Sequence, residues 1–256
     1  MEFIDTHAHL YSEEYKDDYN EVIKRANNEG VTKIVMPAID SKSHKQLIDI
    51  TNKYPNVIYP LMGLHPTSVD GNYKKELSLI EDYIYNTTHF KGVGEIGIDM
   101  YWDKTYKKEQ IDAFLTQVKW AIELKTPIII HTRNSFDDVY NILKQLVKEE
   151  LTGIFHCFGG DVEQAKKIID MGFSLGIGGV VTFKNTNLRD VIKHIDLKHI
   201  VLETDSPYLT PAPYRGKRNE SSYIKIIAQT LSDVYSCSIN DIANITTQNA
   251  IKIFNI

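Results

Sequence analysis

Cysteine is scarce in this chain of 256 residues, and its two copies, Cys157 and Cys237, do not form a Cys-x-x-Cys pair. That scarcity excludes a disulfide framework and a cysteine zinc finger, and it favours a reducing cytoplasm. Long apolar runs are also missing, since no stretch approaches the roughly 18 residues that a membrane helix needs. The first residues lack the basic and then apolar segments of a secretory signal. We therefore expect a cytoplasmic protein that does not cross a membrane.

Positive charge is in deficit as well, with 29 Lys and Arg against 34 Asp and Glu and a net charge of −5. This excludes a broad basic face that coats nucleic acid, but it allows a local basic site. Low-complexity tracts and linkers rich in Pro, Gly and Ser are missing too. We expect a single globular domain over residues 1–256.

Short runs rich in Ile and Val alternate with longer amphipathic segments, which predicts repeated β-α units. The predicted strands are Phe3 to Thr6, Lys33 to Ala38, Val57 to Gly63, Gly92 to Glu95, Pro127 to His131, Gly153 to His156, Phe173 to Ile177 and Ile200 to Thr204. The predicted helices include Tyr15 to Glu29, Ser41 to Lys53, Tyr106 to Leu124, Ser135 to Lys148 and Asp161 to Met171.

Eight strands with intervening helices in about 250 residues predict a (β/α)8 TIM barrel. The segment Ile239 to Phe254 is then an extra C-terminal helix beyond the barrel. A doubly wound open sheet is the alternative. Its nucleotide-binding forms lose support because the chain has no Gly-x-Gly-x-x-Gly after the first strand and no Gly-x-x-x-x-Gly-Lys-Ser/Thr.

Histidines and carboxylates stand where predicted strands end. His7 and His9 are two residues apart, so they project from one face of a strand end and can reach one metal ion. An exposed loop with two polar residues would look the same. Other candidate ligands, however, also end or directly follow predicted strands, and the active site of a barrel lies at that mouth. The six candidate metal ligands are His7, His9, Glu95, His131, His156 and Asp205.

Six ligands exceed the three protein ligands typical of one catalytic zinc ion, which predicts two divalent metals. A carboxylate can bridge two ions, and Glu95 in the fourth strand is the expected bridge. His7, His9 and Asp205 would complete one site, and His131 with His156 the other. Such a pair activates a water for metal-assisted hydrolysis, with Glu95 and Asp205 as catalytic residues. Four imidazoles favour Zn²⁺, Ni²⁺, Co²⁺ or Mn²⁺ over Mg²⁺.

A series of motifs runs from one end of the chain to the other. They are Phe3–Leu10, Gly63–Pro66, Gly94–Asp99, Pro127–Arg133, Phe155–Phe158, Leu202–Tyr208, Gly216–Glu220, and the terminal Asn249-Ala250 with Phe254. In order and spacing the chain resembles the TatD family of metal-dependent deoxyribonucleases, within the amidohydrolase-like metallohydrolase barrels. One departure is Ser221, where that family commonly has Pro, and it affects only the local shape of a loop.

The resemblance implies a (β/α)8 fold, a dinuclear site at the six ligands, and hydrolysis of phosphodiester bonds in DNA, often as an exonuclease. Its nucleases are commonly run with Mg²⁺, so Mg²⁺, Mn²⁺, Zn²⁺, Co²⁺ and Ni²⁺ all stay open as cofactors. The mouth of a barrel accepts an end more readily than a long duplex. We therefore expect single-stranded or frayed DNA as the substrate and no obligatory protein partner.

Further candidates surround the ligands. His65 precedes Pro66 at the end of the third predicted strand, and in similar proteins this histidine lies by the substrate. We expect it to contact phosphate or donate a proton rather than bind metal. Arg133 comes two residues after His131, so its side chain points to the same face of the strand. It can pair with phosphate through two hydrogen bonds. Glu203 precedes Asp205 by two residues and is expected to hold a ligand histidine or tune the bridging water.

Four cations lie in the loops after the last two predicted strands, where barrels often bind phosphate: Lys184, Arg215, Lys217 and Arg218. Phe183, Tyr208 and Tyr214 lie beside them and are candidates for stacking on unpaired bases. A solvated loop with packing aromatics is the alternative interpretation.

Two other functions stay open at this point. An amidohydrolase acting on ester, C–N or phosphotriester bonds, including the ester of an aminoacyl-tRNA, also begins with His-x-His. Such enzymes commonly use a carboxylated lysine on the fourth strand, where this chain has Glu95. A metal-binding scaffold without catalysis is the third function. It is disfavoured because the ligand set is complete and His65 and Arg133 accompany it.

Overall fold

In the computed structural model, the described residues, 1–86, 90–146 and 151–256, form eight strands and nine α-helices. The strands are β1 (Phe3–Asp5), β2 (Val31–Pro37), β3 (Ile58–Leu61), β4 (Val93–Asp99), β5 (Ile128–Arg133), β6 (Gly153–Phe155), β7 (Ser174–Ile177) and β8 (Ile200–Leu202). The helices are α1 (Tyr19–Asn28), α2 (Ser41–Lys53), α3 (Tyr73–Asn86), α4 (Lys107–Leu124), α5 (Phe136–Leu146), α6 (Val162–Asp170), α7 (Leu188–Ile192), α8 (Ile224–Tyr235) and α9 (Ile239–Phe254).

All ladders are parallel, and within each of two sheets the strands pair in chain order. The strands β1 to β3 form one sheet and β4 to β8 form another. Single parallel bridges, Ala8 with Ser206 and Met62 with Val93, join the two sheets at both edges. The predicted (β/α)8 barrel is therefore confirmed, and the carboxyl ends of its strands meet at one mouth.

Strands β4 and β5 run further toward the mouth than the sequence predicts. The interpretation that Glu95 and His131 end their strands was wrong, because β4 continues to Asp99 and β5 to Arg133. The register shifts by one residue between Val93 and Ile96, and pairing then resumes along the polar segment. Both side chains therefore stand on a paired strand and not on a loop.

The predicted helices are found with small changes at their ends. Helix α2 has the predicted bounds, and α1 begins at Tyr19 because Glu13–Tyr15 forms a separate 3-10 turn. In the predicted helix Ser135 to Lys148, residues 147 and 148 lie outside the described residues. Helices α3, α7 and α8 were not among the predicted segments. No helix in the described part of the chain is long and apolar enough to cross a membrane.

The predicted C-terminal helix α9 covers the end of the barrel opposite the mouth. Its residues Ala250 and Phe254 are buried against one inward-facing apolar residue from each of six strands: Ile4, Val35, Leu61, Ile129, Ile154 and Val201. A Ser238–Asp241 capping box begins the helix. The apolar end of the barrel is thereby filled, and the polar residues of the same strands are left to the mouth.

Candidate metal centre

The carboxylate of Glu95 lies at the centre of the mouth and is only 3% exposed. Its Oε2 is 3.1 Å from Nε2 of His7 and 3.7 Å from Nε2 of His9. Its Oε1 is 2.9 Å from Nδ1 of His131 and 3.2 Å from Nε2 of His156. Each oxygen of Glu95 therefore faces a different pair of imidazoles.

Asp205 follows β8 and joins the group around His7 and His9. Its Oδ1 lies 3.7 Å from Nε2 of His7 and 3.5 Å from Nε2 of His9. Its backbone N–H donates to the carbonyl of His7 at 2.9 Å, which ties the end of β8 to the end of β1. The structure thus brings all six sequence-predicted ligands together at one place.

The spacing of these donor atoms fits divalent metal ions. Two atoms that bind one ion at about 2.1 Å in tetrahedral geometry lie about 3.4 Å apart. The separations around Glu95 and Asp205 range from 2.9 to 3.7 Å. Three trios have donor atoms within 4.8 Å of one another: His7, His9 and Glu95; His7, His156 and Asp205; and His65, Glu95 and His131. Imidazole nitrogen with carboxylate oxygen is a donor set that suits Zn²⁺, Mn²⁺, Co²⁺ and Ni²⁺.

Both central carboxyl groups are held in their ionised form. Burial opposes ionisation of Glu95, but the imidazoles of His65, His156 and His7 outweigh it and keep its pKa well below the usual range. Burial likewise opposes ionisation of Asp205, and the neighbouring histidines lower its pKa overall. The buried carboxylate of Glu95 and the partly buried carboxylate of Asp205 face imidazole nitrogens and are positioned to bind metal cations.

Two further carboxylates lie behind two of the candidate ligand histidines. Asp99 Oδ2 lies 2.9 Å from Nε2 of His131, which leaves Nδ1 of that ring toward Glu95. Glu203, predicted to hold a ligand histidine, lies with Oε1 3.2 Å from Nδ1 of His156 and accepts the backbone N–H of Cys157 at 2.6 Å. Carboxylates in this position fix the orientation of metal-binding imidazoles.

Sequence reasoning assigned no role to Asp99, although the residue belongs to the Gly94–Asp99 motif. It lies four residues after Glu95, so on a continuous strand both face the same side. That period-2 signal was missed because the predicted strand stopped at Glu95.

The imidazole of His65 lies within the cluster of candidate ligands, next to Glu95 and His131. Its Nε2 is 3.3 Å from Oε1 of Glu95 and 3.3 Å from Nδ1 of His131. Its Nδ1 accepts the backbone N–H of Thr67 at 3.1 Å, at the start of a 3-10 turn. In the neutral ring the hydrogen is therefore on Nε2, and His65 offers a donor to the mouth.

A cavity of about 630 Å³ opens above the cluster. Among its lining residues are His9, His65, Glu95, Asp99, Trp102, His131, Arg133, His156, Asp205 and Tyr208. Ligands, His65 and Arg133 therefore share one space that a substrate can enter.

The four loop cations predicted to bind phosphate lie elsewhere. None of Lys184, Arg215, Lys217 and Arg218 is among the described residues that line this cavity. Arg215 stacks on Phe183 with its Cζ 3.8 Å from the ring centre. Arg218 donates two hydrogen bonds of 2.7 Å to the carboxylate of Asp18. Of the predicted phosphate contacts, the structure brings His65 and Arg133 to the metal centre.

The three predicted stacking aromatics are also separated. Tyr208 lines the cavity and is 48% exposed. Phe183 lies beneath Arg215, and Tyr214 stacks on Tyr223 with ring centres 4.9 Å apart. Only Tyr208 of the three is placed beside the metal centre.

Comparison with known proteins gives a consistent result. A family model described as TatD related DNase matches residues 4–255. The Bacillus subtilis protein YabD, described as an uncharacterized metal-dependent hydrolase, is 40% identical over 255 residues, with 98% of each chain covered. The solved structure of the TatD homologue YJJV from Escherichia coli superposes with a TM-score of 0.93 at 26% identity, covering 99% of this chain and 98% of that one. A TatD family hydrolase from Entamoeba histolytica superposes with a TM-score of 0.83 at 25% identity over the same shares.

Proposed function

The chain belongs to the TatD-related DNase family of metal-dependent hydrolases, and on that premise we propose that it hydrolyses phosphodiester bonds of DNA. One observation carries the proposal: the two oxygens of Glu95 face two separate groups of imidazoles at the base of an open cavity. The same cavity presents Arg133, a cation suited to phosphate.

Two divalent ions would share Glu95 in this proposal. His7, His9 and Asp205 would hold one, and His131 and His156 the other. Bound in this way, the ions supply Lewis acidity toward the phosphate oxygens and the attacking water. The imidazole-rich donor set supports Zn²⁺ or Mn²⁺, and a weaker Mg²⁺ is accommodated where substrate phosphate adds oxygen ligands.

The surrounding side chains transfer protons, bind the phosphate or position a ligand histidine. Asp205 is 16% exposed at the cavity, and its ionised carboxylate takes the proton of the attacking water. His65, with its hydrogen on Nε2, donates to the phosphate or to the leaving oxygen. Arg133 pairs with the phosphate through its guanidinium. Glu203 is a positioning residue that acts through His156.

Charge and shape support DNA ends as the substrate. A net charge of −5 gives no broad attraction for a duplex, so binding depends on the metals, Arg133 and the donors of the mouth. A cavity of about 630 Å³ surrounded by barrel loops admits a strand end more readily than the middle of a double helix. The proposed activity is therefore that of an exonuclease on single-stranded or frayed ends.

The test uses single-stranded DNA labelled at the 3′ or the 5′ end, supplied with Mg²⁺, Mn²⁺ or Zn²⁺ in turn. We expect metal-dependent release of nucleotides that Glu95→Gln abolishes. Asp190→Asn is the matched control, because that carboxylate is 79% exposed and pairs with Lys193 away from the cavity. The label lost first gives the direction of digestion. No cleavage by folded, metal-loaded protein would overturn the proposal and direct the search to carboxylic ester, amide and phosphotriester substrates.

A further inference from the structure

The indole ring of Trp102 is exposed to solvent beside the metal centre. It is 68% exposed, more than any other large apolar side chain in the described part of the chain. It lines the cavity above the metal centre together with His65 and His131, and it also lines a smaller cavity of about 180 Å³. An exposed aromatic surface next to a site indicates contact with a ligand, because burying it there is favourable.

Tyr101 and Arg133 complete a surface with Trp102 that we call the aromatic shelf. Tyr101 is 52% exposed, and its ring meets that of Trp102 edge-on with centres 5.0 Å apart. The guanidinium carbon of Arg133 lies 3.8 Å from the ring centre of Tyr101 and 5.3 Å from that of Trp102. Stacking of this kind orients the guanidinium while leaving its N–H groups able to donate.

Within the described residues, Arg133 has no carboxylate counter-ion. No carboxylate in residues 1–86, 90–146 or 151–256 lies within 4.0 Å of its guanidinium nitrogens, whereas Arg25 and Arg218 both pair with carboxylates. An oriented cation on the wall of the cavity that pairs with no carboxylate of the described residues is suited to an anionic group of a ligand.

The shelf is tied to the metal centre through Asp99. Its Oδ1 accepts the backbone N–H groups of Tyr101 at 2.8 Å and Trp102 at 3.1 Å, and its Oδ2 pairs with Nε2 of His131. One buried carboxylate therefore positions both a metal-binding imidazole and the backbone that carries the indole. This shared anchor fixes the position of the shelf relative to the imidazole of His131.

We infer that the aromatic shelf binds the nucleotide next to the scissile phosphate, with its base stacked on Trp102 and its phosphate paired with Arg133. The inference rests on the proposed nuclease function and narrows its substrate. Stacking on an exposed indole requires a base that has left its own helical stack, so the substrate is a strand with an unpaired terminal nucleotide. Recognition tolerates any sequence because every base has a face that can stack.

The two tryptophans of the chain allow a direct binding measurement. Trp120 is 6% exposed within α4, so a quencher in the cavity acts on Trp102. We expect short single-stranded oligonucleotides with slowly hydrolysed phosphorothioate linkages to quench the tryptophan fluorescence of the metal-loaded protein. Trp102→Phe removes the quenching signal but retains an aromatic ring, and Trp102→Leu removes both.

Affinity is measured independently by fluorescence anisotropy of labelled oligonucleotides that carry a normal or an abasic nucleotide at either end. Trp102→Leu is expected to weaken binding of the normal end on the order of tenfold, with Trp102→Phe close to wild type. The abasic end should bind wild type and Trp102→Leu equally. Equal affinity of Trp102→Leu for the normal end, with oligonucleotide still bound and cleaved, would overturn the shelf alone. Wild-type protein that neither binds nor cleaves any oligonucleotide would overturn the nuclease proposal and the shelf with it.

Discussion

The carboxylate of Asp99 and Nε2 of His131 lie 2.9 Å apart, and this contact decides which nitrogen of His131 faces the metal centre. Burial opposes ionisation of Asp99, but its bonds to His131 and to the backbone of Trp102 and Tyr101 lower its pKa to about 2. An ionised carboxylate only accepts, so Asp99 keeps a ring hydrogen on Nε2, and the ionised Glu95 likewise favours a hydrogen on Nδ1. A metal ion bound beside Glu95 would replace the hydrogen on Nδ1, 2.9 Å from that carboxylate, while Asp99 retains the one on Nε2.

Replacing this carboxylate should weaken metal binding. Asp99→Asn keeps the shape and one oxygen but loses the charge that holds the tautomer, so we expect metal affinity to fall about 10–100-fold. Competition with a chromophoric chelator measures that loss. Asp103→Asn is the matched control, since its carboxylate lies four residues further on and, among the described residues, accepts a hydrogen bond only from nearby Thr105. Equal affinity in the two variants would contradict the assigned role.

Because Gly176 has no side chain, the carboxylate of Glu203 has room to lie behind His156. A Cβ at this position would overlap Oε2 of Glu203, which is buried and cannot move into solvent. We expect Gly176→Ala to displace Glu203, to lower metal affinity about 10–100-fold and to lower the free energy of unfolding by about 1–3 kcal/mol. Metal titration and urea unfolding measure the two effects.

Gly71→Ala is the control for that substitution, because no heavy atom lies within 4 Å of its added Cβ. The control should match wild type in metal affinity. A Gly176→Ala protein that is less stable but binds metal normally would show that Glu203 does not act through His156.

The sequence was sufficient to predict the barrel and the clustering of the six candidate ligands, because both depend on local patterns. Period-2 alternation places His7 and His9 on one face, and the ends of parallel strands meet at one mouth. Local patterns could not predict that β4 continues past Glu95, because this continuation depends on the pairing of Asp99 in β4 with Arg133 in β5.

The partners of long cationic side chains could not be predicted for a related reason. Arg218 stands in a loop beside Lys217, where sequence alone indicates a phosphate contact. In the folded protein it pairs with Asp18, which is 200 positions away along the chain. Such a contact depends on the fold as a whole, and the sequence around either residue does not predict it.

Metal removal should lower the thermal stability of the protein. An ion that binds only the folded state stabilises it by about 2.7 kcal/mol at a free concentration of 100 Kd. For a chain of this size that corresponds to a rise in Tm of roughly 5–10 °C per tightly bound ion. Calorimetry of chelator-treated protein with and without added Zn²⁺ or Mn²⁺ measures the shift. Glu95→Gln should lose most of it, and an unchanged shift in that variant would show that the ion binds elsewhere.

Phe254 tests whether the closed end of the barrel is independent of the mouth. Its ring is 2% exposed in the cluster that α9 forms with the inward-facing strand residues, so Phe254→Ala should lower the free energy of unfolding by about 3–5 kcal/mol. Lys252→Ala, two residues earlier on the exposed side of α9, should change it little. Because the metal centre lies at the other end of the same strands, kcat and metal stoichiometry of the folded Phe254→Ala protein should equal those of wild type. Urea unfolding measures the loss of stability, and assays at urea concentrations below the unfolding transition measure kcat. Loss of metal by the folded variant would show that packing at the closed end of the barrel positions the ligands at the mouth.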